Sequence, residues 1–429
     1  MRVLGVIVEY NPLHHGHLYH LNKAKELVQP DYTLAVMSGN FTQRGEPAVV
    51  DKFARTEMAL RSGIDVVVEL PTVFAIQDAG GFAFGAVSIL HNTHVVTDVV
   101  FGSESGKIDI LKKIAEIIVE EPEDYVEYLH QELKKGLSFP NARRVAIMRY
   151  VEKKRILDPT LVDIIARSND ILGLEYLVSA YKLKTSMEFH TIRRIGADYT
   201  EQHHRGKYSS ATAIRNSIKS QDMEKVKEAV PSQTFEILMR EFREGRGPIF
   251  YEDLSVLILA TFRTLKRSDL SVYTGFNEGL DERFAKYAPR SRDALDLLEK
   301  VKAKRFTFSR LRRLSLYPIL MMRKDLVNSS NKKGPQYLRI LGFTKKGREL
   351  LAIIREKALL PHVTNASQYI QVLKKSLKKE RFMHIDPSLF IEQFELDVRA
   401  TNIHSVFFRS EEHRSYERDM RLGPVIIQK

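Results

Sequence analysis

The sequence predicts an α/β fold: a parallel, doubly wound, Rossmann-like sheet over residues 1–235, followed by a mainly helical, basic region over residues 236–429. Three observations carry this. Short β-branched apolar runs alternate with helix-periodic segments through the first half, as expected of buried parallel strands joined by crossover helices. From about residue 240 the periodicity is helical and strand signals stop. The charge is also segregated. The net +13 arises almost wholly after residue 240, and residues 300–348 hold 15 Lys and Arg against one acid, Asp325.

Val3-Leu-Gly-Val-Ile-Val8 reads as a first buried strand. Asn11-Pro12 turns the chain, because proline restricts itself and its predecessor to non-helical geometry. A helical pattern follows, with Leu18, Leu21 and Leu27 apolar and Lys23, Lys25 and Glu26 polar. The stretch His14-His15-Gly16-His17 therefore stands where a strand passes into a helix N-terminus. Unpaired N–H groups and the helix dipole there suit phosphate. Gly16 allows close approach of a ligand. His14 and His17, three apart, converge and can stabilise charge during displacement at phosphorus.

Residues 33–37 form the second expected strand, ending in Ser38-Gly39-Asn40, and residues 54–60 a helix. Residues 65–70 form a third strand stopped by Pro71, and 74–92 a helix broken by glycines. Residues 95–101 are a fourth strand ending at Gly102, 107–134 a helical stretch, and 186–193 a fifth strand. Ligands of such a sheet bind beyond the strands' carboxyl ends, where His14, Ser38 and Gly102 fall. Asn169, at a helix start, is either a cap or a reader of a nucleobase edge. Gly102 either ends a strand or lets adenosine pack on the backbone. In Tyr208-Ser-Ser-Ala-Thr-Ala-Ile-Arg215, Ser210 or Thr212 is a helix cap or, with Arg215, a phosphate ligand.

In the second half, residues 253–265 and 291–301 are expected helices. Lys302, Lys304, Arg305, Arg310, Arg312 and Arg313 interleave with Phe306 and Phe308. Lys332 and Lys333 lie in a polar stretch, 328–335, expected to be a loop. These cations are candidate RNA contacts, and the phenylalanines read as core. The mixed charges of 411–419 read as a solvated face. There is no cysteine, which excludes disulfides, thiolate zinc sites and a cysteine nucleophile. No apolar run reaches the ~18 residues of a membrane span. No signal-peptide layout is evident, and a cytoplasmic location is expected.

The His14-His15-Gly16-His17 stretch resembles the H-x-G-H signature of the nucleotidylyltransferase superfamily, and residues 210–215 resemble its Ser-Ser-Thr-x-Ile-Arg signature, with the second serine replaced by Ala211. Tyr10-Asn-Pro-Leu-His-His-Gly-His17, the 38–47 loop, Phe101-Gly-Ser-Glu-Ser-Gly106, Ser168-Asn-Asp-Ile-Leu-Gly173 and Arg193-Arg-Ile-Gly-Ala-Asp-Tyr199 together narrow the match. Over essentially its whole length the chain resembles the bacterial tRNA(Met) cytidine acetate ligase family. The resemblance implies that ATP activates acetate as acetyl-adenylate. The acetyl group then passes to N4 of the wobble cytidine, position 34, of elongator tRNA(Met). It implies a catalytic His14, His17 and Arg215. It implies an ATP site on Ile7, Val8, Glu9, Tyr10, Asn11, Pro12, Leu13, His14, His15, Gly16, His17, Leu18, Tyr19 and His20, with Gly102, Asn169, Arg194 and Ile195; Ser210 and Thr212 are added from the second signature. Mg²⁺ is expected with ATP, without a dedicated metal cluster or a tightly bound cofactor, and no membrane or protein partner is implied. Two alternatives stay open: a superfamily ligase or adenylyltransferase acting on a protein-bound group or cofactor, and a tRNA-binding protein with a vestigial nucleotide site.

Overall fold

The computed structural model describes residues 1–194, 206–414 and 417–428. Five parallel strands form the expected sheet: β1 (Val3–Val8), β2 (Tyr32–Ser38), β3 (Val66–Leu70), β4 (Asp98–Ser103) and β5 (Glu188–Arg193), in the order β5-β4-β1-β2-β3. Val3 pairs with Tyr32 and Val8 with Met37, and Asp98 pairs with Glu188 and Ser103 with Arg193. Leu34 and Val36 enter one core while Ala35 and Met37 enter the other. Both faces are covered, which is why the strands read as continuous apolar runs rather than alternating ones. The winding reverses between β1 and β4, so a crevice opens at their carboxyl ends.

The sheet does not end with the first half. β6 (Leu338–Thr344) runs antiparallel beside β3, with Val66 opposite Phe343. β7 (His362–Val363) and β8 (Val425–Ile427) lie parallel to β6. This corrects the expectation of no strands after residue 240 and makes the sheet mixed. β6 is one isolated run with no strand–helix alternation around it, so the signal that reveals β1–β5 is missing. Close packing fixes its place. A Cβ on Gly342 would stand 2.6 Å from the Val425 carbonyl oxygen and 2.7 Å from Thr56 Cγ2.

A buried ionic cluster joins the two halves. Lys52 Nζ lies 2.8 Å from Glu69 and 3.0 Å from Asp419, and Arg339 of β6 lies 3.1 Å from Glu69 and 3.0 Å from Asp419. All four are buried, and each charge has an opposite partner, as burial requires. Two expectations change here. Asp419 is core rather than solvated face, and Arg339 is a structural member of the basic block.

Smaller corrections follow from local chemistry. The stretch 74–92 is two helices, Thr72–Ala75 and Ala79–Asn92. The break lies where Asp78 caps the second helix through the Gly81 N–H at 3.0 Å, and the glycines are inside it. The stretch 107–134 is Ile108–Glu120 and Glu123–Lys134, broken at Pro122. Residues 328–333 belong to the helix Lys324–Lys333 rather than to a loop; Asn328, Ser329, Asn331, Lys332 and Lys333 are exposed, while Ser330 is buried and accepts from Gln393 at 3.0 Å. The fourth strand starts later and runs through Gly102. The helices near 253 and 291 are Ser255–Thr264 and Ala294–Val301. The helix Ser232–Arg243 runs across the expected boundary at 235/236, and its Arg240 bonds Glu57 at 2.8 Å. No helix among the described residues is long and apolar enough to cross a membrane.

Candidate active site

β1 ends at Val8, and the chain turns over its end through Tyr10, at φ 48°, and a cis Asn11-Pro12 peptide. It then enters the helix His15–Val28. His14 is the N-cap, with φ −137° and ψ 172°, so it lies just outside the helix rather than on its face. Its Nδ1 accepts the Gly16 N–H at 3.0 Å, and His17 Nδ1 accepts the His14 N–H at 3.4 Å. This reciprocal capping brings the rings together, stacked with centroids 3.7 Å apart. Because each Nδ1 lone pair is used by a backbone donor, the neutral tautomer of each ring carries its proton on Nε2.

Gly16 has a more immediate reason than room for a ligand. A Cβ there would stand 2.9 Å from His14 Cε1, so the His14 ring folds over a position that only glycine leaves open. The rings are also kept uncharged. Burial, then Arg194, His15 and Arg215, pulls His14 down to about 3. Burial, then His14, Arg194 and His20, holds His17 well below the usual imidazole range. Burial and Arg194 bring His20 to about 4. At neutral pH these imidazoles are hydrogen-bond donors or acceptors, and arginines supply the positive charge.

A cavity of about 490 Å³ occupies the crevice at the β1/β4 switch. Of the residues expected there, Ile7, Val8, Glu9, Tyr10, Asn11, His14, Gly16, His17, Tyr19, His20, Gly102, Asn169, Arg194, Ser210, Thr212 and Arg215 line it. Pro12, Leu13, His15 and Leu18 do not, and Leu13 is a core residue at 1% exposure. Ile195 lies outside the described residues. Ser210 is the cap of the helix Ala211–Lys219, accepting the Ala213 N–H at 3.1 Å. Arg215 bonds the Asn11 carbonyl at 3.0 Å, Glu46 at 3.0 Å and Thr212 at 3.3 Å. Asn169 is oriented on both sides: its Nδ2 donates to Glu104 at 2.6 Å and its Oδ1 accepts from Arg194 at 3.0 Å. Gly102 faces Arg194, whose Cγ would be 3.3 Å from a Cβ.

Sequence reasoning left several lining residues unassigned: Gln43, Arg44, Glu46, Phe82 and Tyr176. The 38–47 loop that carries three of them was conspicuous as a motif, but nothing local says which of its side chains turn inward. Glu104, which orients Asn169, was missed in the same way. A second cavity of about 370 Å³ shares Arg44, Glu46, Thr212 and Arg215 with the first, and adds Lys219, Phe250, Tyr251 and Arg312.

The basic block divides in two. Arg312, on the helix Phe308–Leu320, bonds Glu46, and Arg313 bonds the Gln43 carbonyl at 3.0 Å. Both therefore hold the 38–47 loop instead of standing free for RNA. Lys302, Lys304, Arg305, Arg310, Lys332 and Lys333 lie on the outside. Arg305 and Arg310 pair with Glu278 at 3.5 Å, and Lys333 with Asp386 at 2.6 Å. Phe306 is core at 1% exposure, as expected, and Phe308 is 43% exposed. Among the described residues one group of three potential metal ligands occurs, Asp98, Glu188 and His190. It lies at the opposite ends of β4 and β5, where Arg2 already pairs with Asp98 at 2.9 Å.

The model of the HIGH Nucleotidyl Transferase family matches residues 1–419. The tRNA(Met) cytidine acetate ligase of Thermotoga maritima is 54% identical over 421 residues, covering 98% of this chain and 99% of the relative. That of Thermosipho africanus is 50% identical over 429 residues, covering 100% of both. The crystal structure of apo Thermotoga maritima TmcAL superposes with a TM-score of 0.97 at 55% identity, and that of the same protein bound with alpha-thio ATP with 0.95 at 54%, each covering 100% of both chains.

Proposed function

Because the chain belongs to the HIGH nucleotidyl transferase family, with tRNA(Met) cytidine acetate ligases as full-length relatives, we propose that it acetylates N4 of the wobble cytidine of elongator tRNA(Met), using ATP and acetate. One observation supports this most: two neutral, Nε2-protonated imidazoles and four arginines, Arg44, Arg193, Arg194 and Arg215, surround one cavity at the sheet's switch point. Acetate oxygen attacks the α-phosphate of ATP and pyrophosphate leaves. His14 and His17 donate to the phosphate oxygens as charge builds, and being uncharged they release product without an ion-pair penalty. Arg215 holds the departing phosphates, moving from Glu46 to do so. Asn169 and the backbone at Gly102 take the adenosine.

A divalent cation enters with ATP in this reading, carried by the triphosphate, because the three-ligand cluster lies away from the cavity. It supplies charge neutralisation to the leaving pyrophosphate. Among the described residues, Glu46 and Glu9 are the carboxylates in the cavity, and Glu46 is already taken by Arg215 and Arg312. The tRNA lies on the outward cations Lys302, Lys304, Arg305, Arg310, Lys332 and Lys333, which attract its backbone without reading sequence. Its anticodon bases, being single-stranded, can splay into a pocket. The deciding experiment incubates the protein with ATP, labelled acetate and total tRNA, then analyses the nucleosides. Labelled N4-acetylcytidine in tRNA(Met), dependent on ATP, is expected; label on a protein or cofactor, or none, refutes the proposal.

A further inference from the structure

Acylating an exocyclic amine releases a proton, and the cavity holds few groups able to take it. His14 and His17 have spent their Nδ1 lone pairs on backbone N–H groups. His20 Nε2 is buried with no partner among the described residues, and burial with Arg194 holds the ring to about 4, which makes it a weak base. Burial raises the Tyr10 and Tyr176 phenols above the usual range, so they keep their protons at neutral pH. Of the two carboxylates lining the cavity among the described residues, Glu46 has an arginine on each oxygen. The other, Glu9, stands at the carboxyl end of β1. Its Oε1 accepts the Gln43 N–H at 2.7 Å, and its Oε2 has no bonded partner among the described residues.

We propose that Glu9 is the general base of acyl transfer: as cytidine N4 attacks the acetyl carbonyl of acetyl-AMP, the C–N bond forms, the C–O bond to phosphate breaks, AMP leaves, and the N4 proton passes to Glu9 Oε2. This rests on the ligase reading above. Departure of pyrophosphate clears the side of the cavity next to Arg44 and Arg215, and the second cavity opens there to admit the nucleoside. The groups facing Glu9 set its basicity. Burial pushes its carboxyl above the usual carboxylate range, against the Gln43 N–H and the charges of Arg44, Arg55 and Arg215. The Tyr176 phenol also faces it. A carboxylate raised in this way is a stronger base than one in water.

The test is single-turnover transfer from prepared, labelled acetyl-AMP to tRNA(Met), with full-length wild type, Glu9→Gln and Glu9→Asp. Bound adenylate is measured for each, and the pH is varied. Per bound adenylate, Glu9→Gln should transfer about 100-fold more slowly, and the wild-type rise in rate with pH should vanish. Glu9→Asp should keep a rise, at shifted pH. A Glu9→Gln rate or pH profile equal to wild type overturns the proposal and assigns the proton to the AMP phosphate or solvent. If Glu9→Gln binds no adenylate, Glu9→Asp decides, and an unshifted rise overturns the proposal. No transfer by wild type overturns the ligase reading itself.

Discussion

Arg215 and Arg312 share one carboxylate: Glu46 Oε2 lies 3.0 Å from Arg215 Nη2, and Glu46 Oε1 bonds Arg312 Nη1. The loop that bears Glu46 is thus held from one side by the helix Ala211–Lys219 and from the other by the helix Phe308–Leu320. Gly45, at φ 74°, sits where the second helix touches it, since a Cβ there would stand 2.5 Å from Arg313 N. The cavity and the basic region are mechanically one unit at this point.

Glu46→Gln should therefore weaken both. It leaves two guanidinium groups, 15% and 27% exposed, without their shared anion. Loss of these charge-assisted bonds should cost about 1.5–3 kcal/mol in urea unfolding and raise the KM for ATP. Arg312→Gln should raise that KM too, although Arg312 lies in the basic block. An unchanged ATP KM in both variants would mean that Arg215 holds its place without the carboxylate.

Gly16→Ala tests the folded-over imidazole. The added methyl meets His14 Cε1 at 2.9 Å, and the ring must swing away from its place over position 16. Pyrophosphate release with acetate should fall about 100-fold, the scale of losing one transition-state donor, while circular dichroism stays that of wild type. Normal release would show that His14 can move without consequence.

Buried neutral histidines make stability fall with acid. His14, His20 and His404 have folded values of about 3, 4 and 4, below the unfolded imidazole range. Below pH ~6.5 the unfolded chain binds protons that the native chain refuses, so each contributes a loss approaching about 1.4 kcal/mol per pH unit until its folded value is reached. Asp397, raised to about 7, acts in the opposite direction over part of that range. His404→Asn is the cleanest probe, because its amide can still donate to the Ala48 carbonyl, now 2.8 Å from His404 Nε2. Urea unfolding from about pH 7 to 5 should lose roughly one proton's slope in that variant. A slope equal to wild type would mean that His404 is protonated in the fold.

The outward and inward cations should behave differently toward RNA. Replacing Lys304, Arg305 and Lys332 with Gln should flatten the salt dependence of tRNA binding by about 0.7–0.9 per lost phosphate contact, with acetyl-AMP formation retained. Filter binding across a salt series reads the first and pyrophosphate release the second. An unchanged slope would move the RNA off this face.

What the sequence determined by itself is local. The β1 run, the turn at Asn11-Pro12, the convergence of His14 and His17 and a cap at Ser210 or Thr212 all follow from spacing over a few residues. The alternation of five strands places those residues at one end of a parallel sheet. That Gly102 meets them in one cavity was legible because the parallel topology brings strand ends together, whereas helix-start chemistry and the family resemblance, not topology, pointed to Asn169, Arg194 and Arg215. Tertiary structure alone decided the rest. β6 joins the sheet because Gly342 and the Arg339 cluster fit there, not because its run differs from other apolar runs. The histidines are neutral because of burial and nearby arginines from distant segments. Arg312 turns inward rather than toward RNA because Glu46, far away in the chain, is waiting for it. Spacing and periodicity act over one or two turns, whereas burial, ion pairing and charge state depend on which surfaces the folded chain brings into contact.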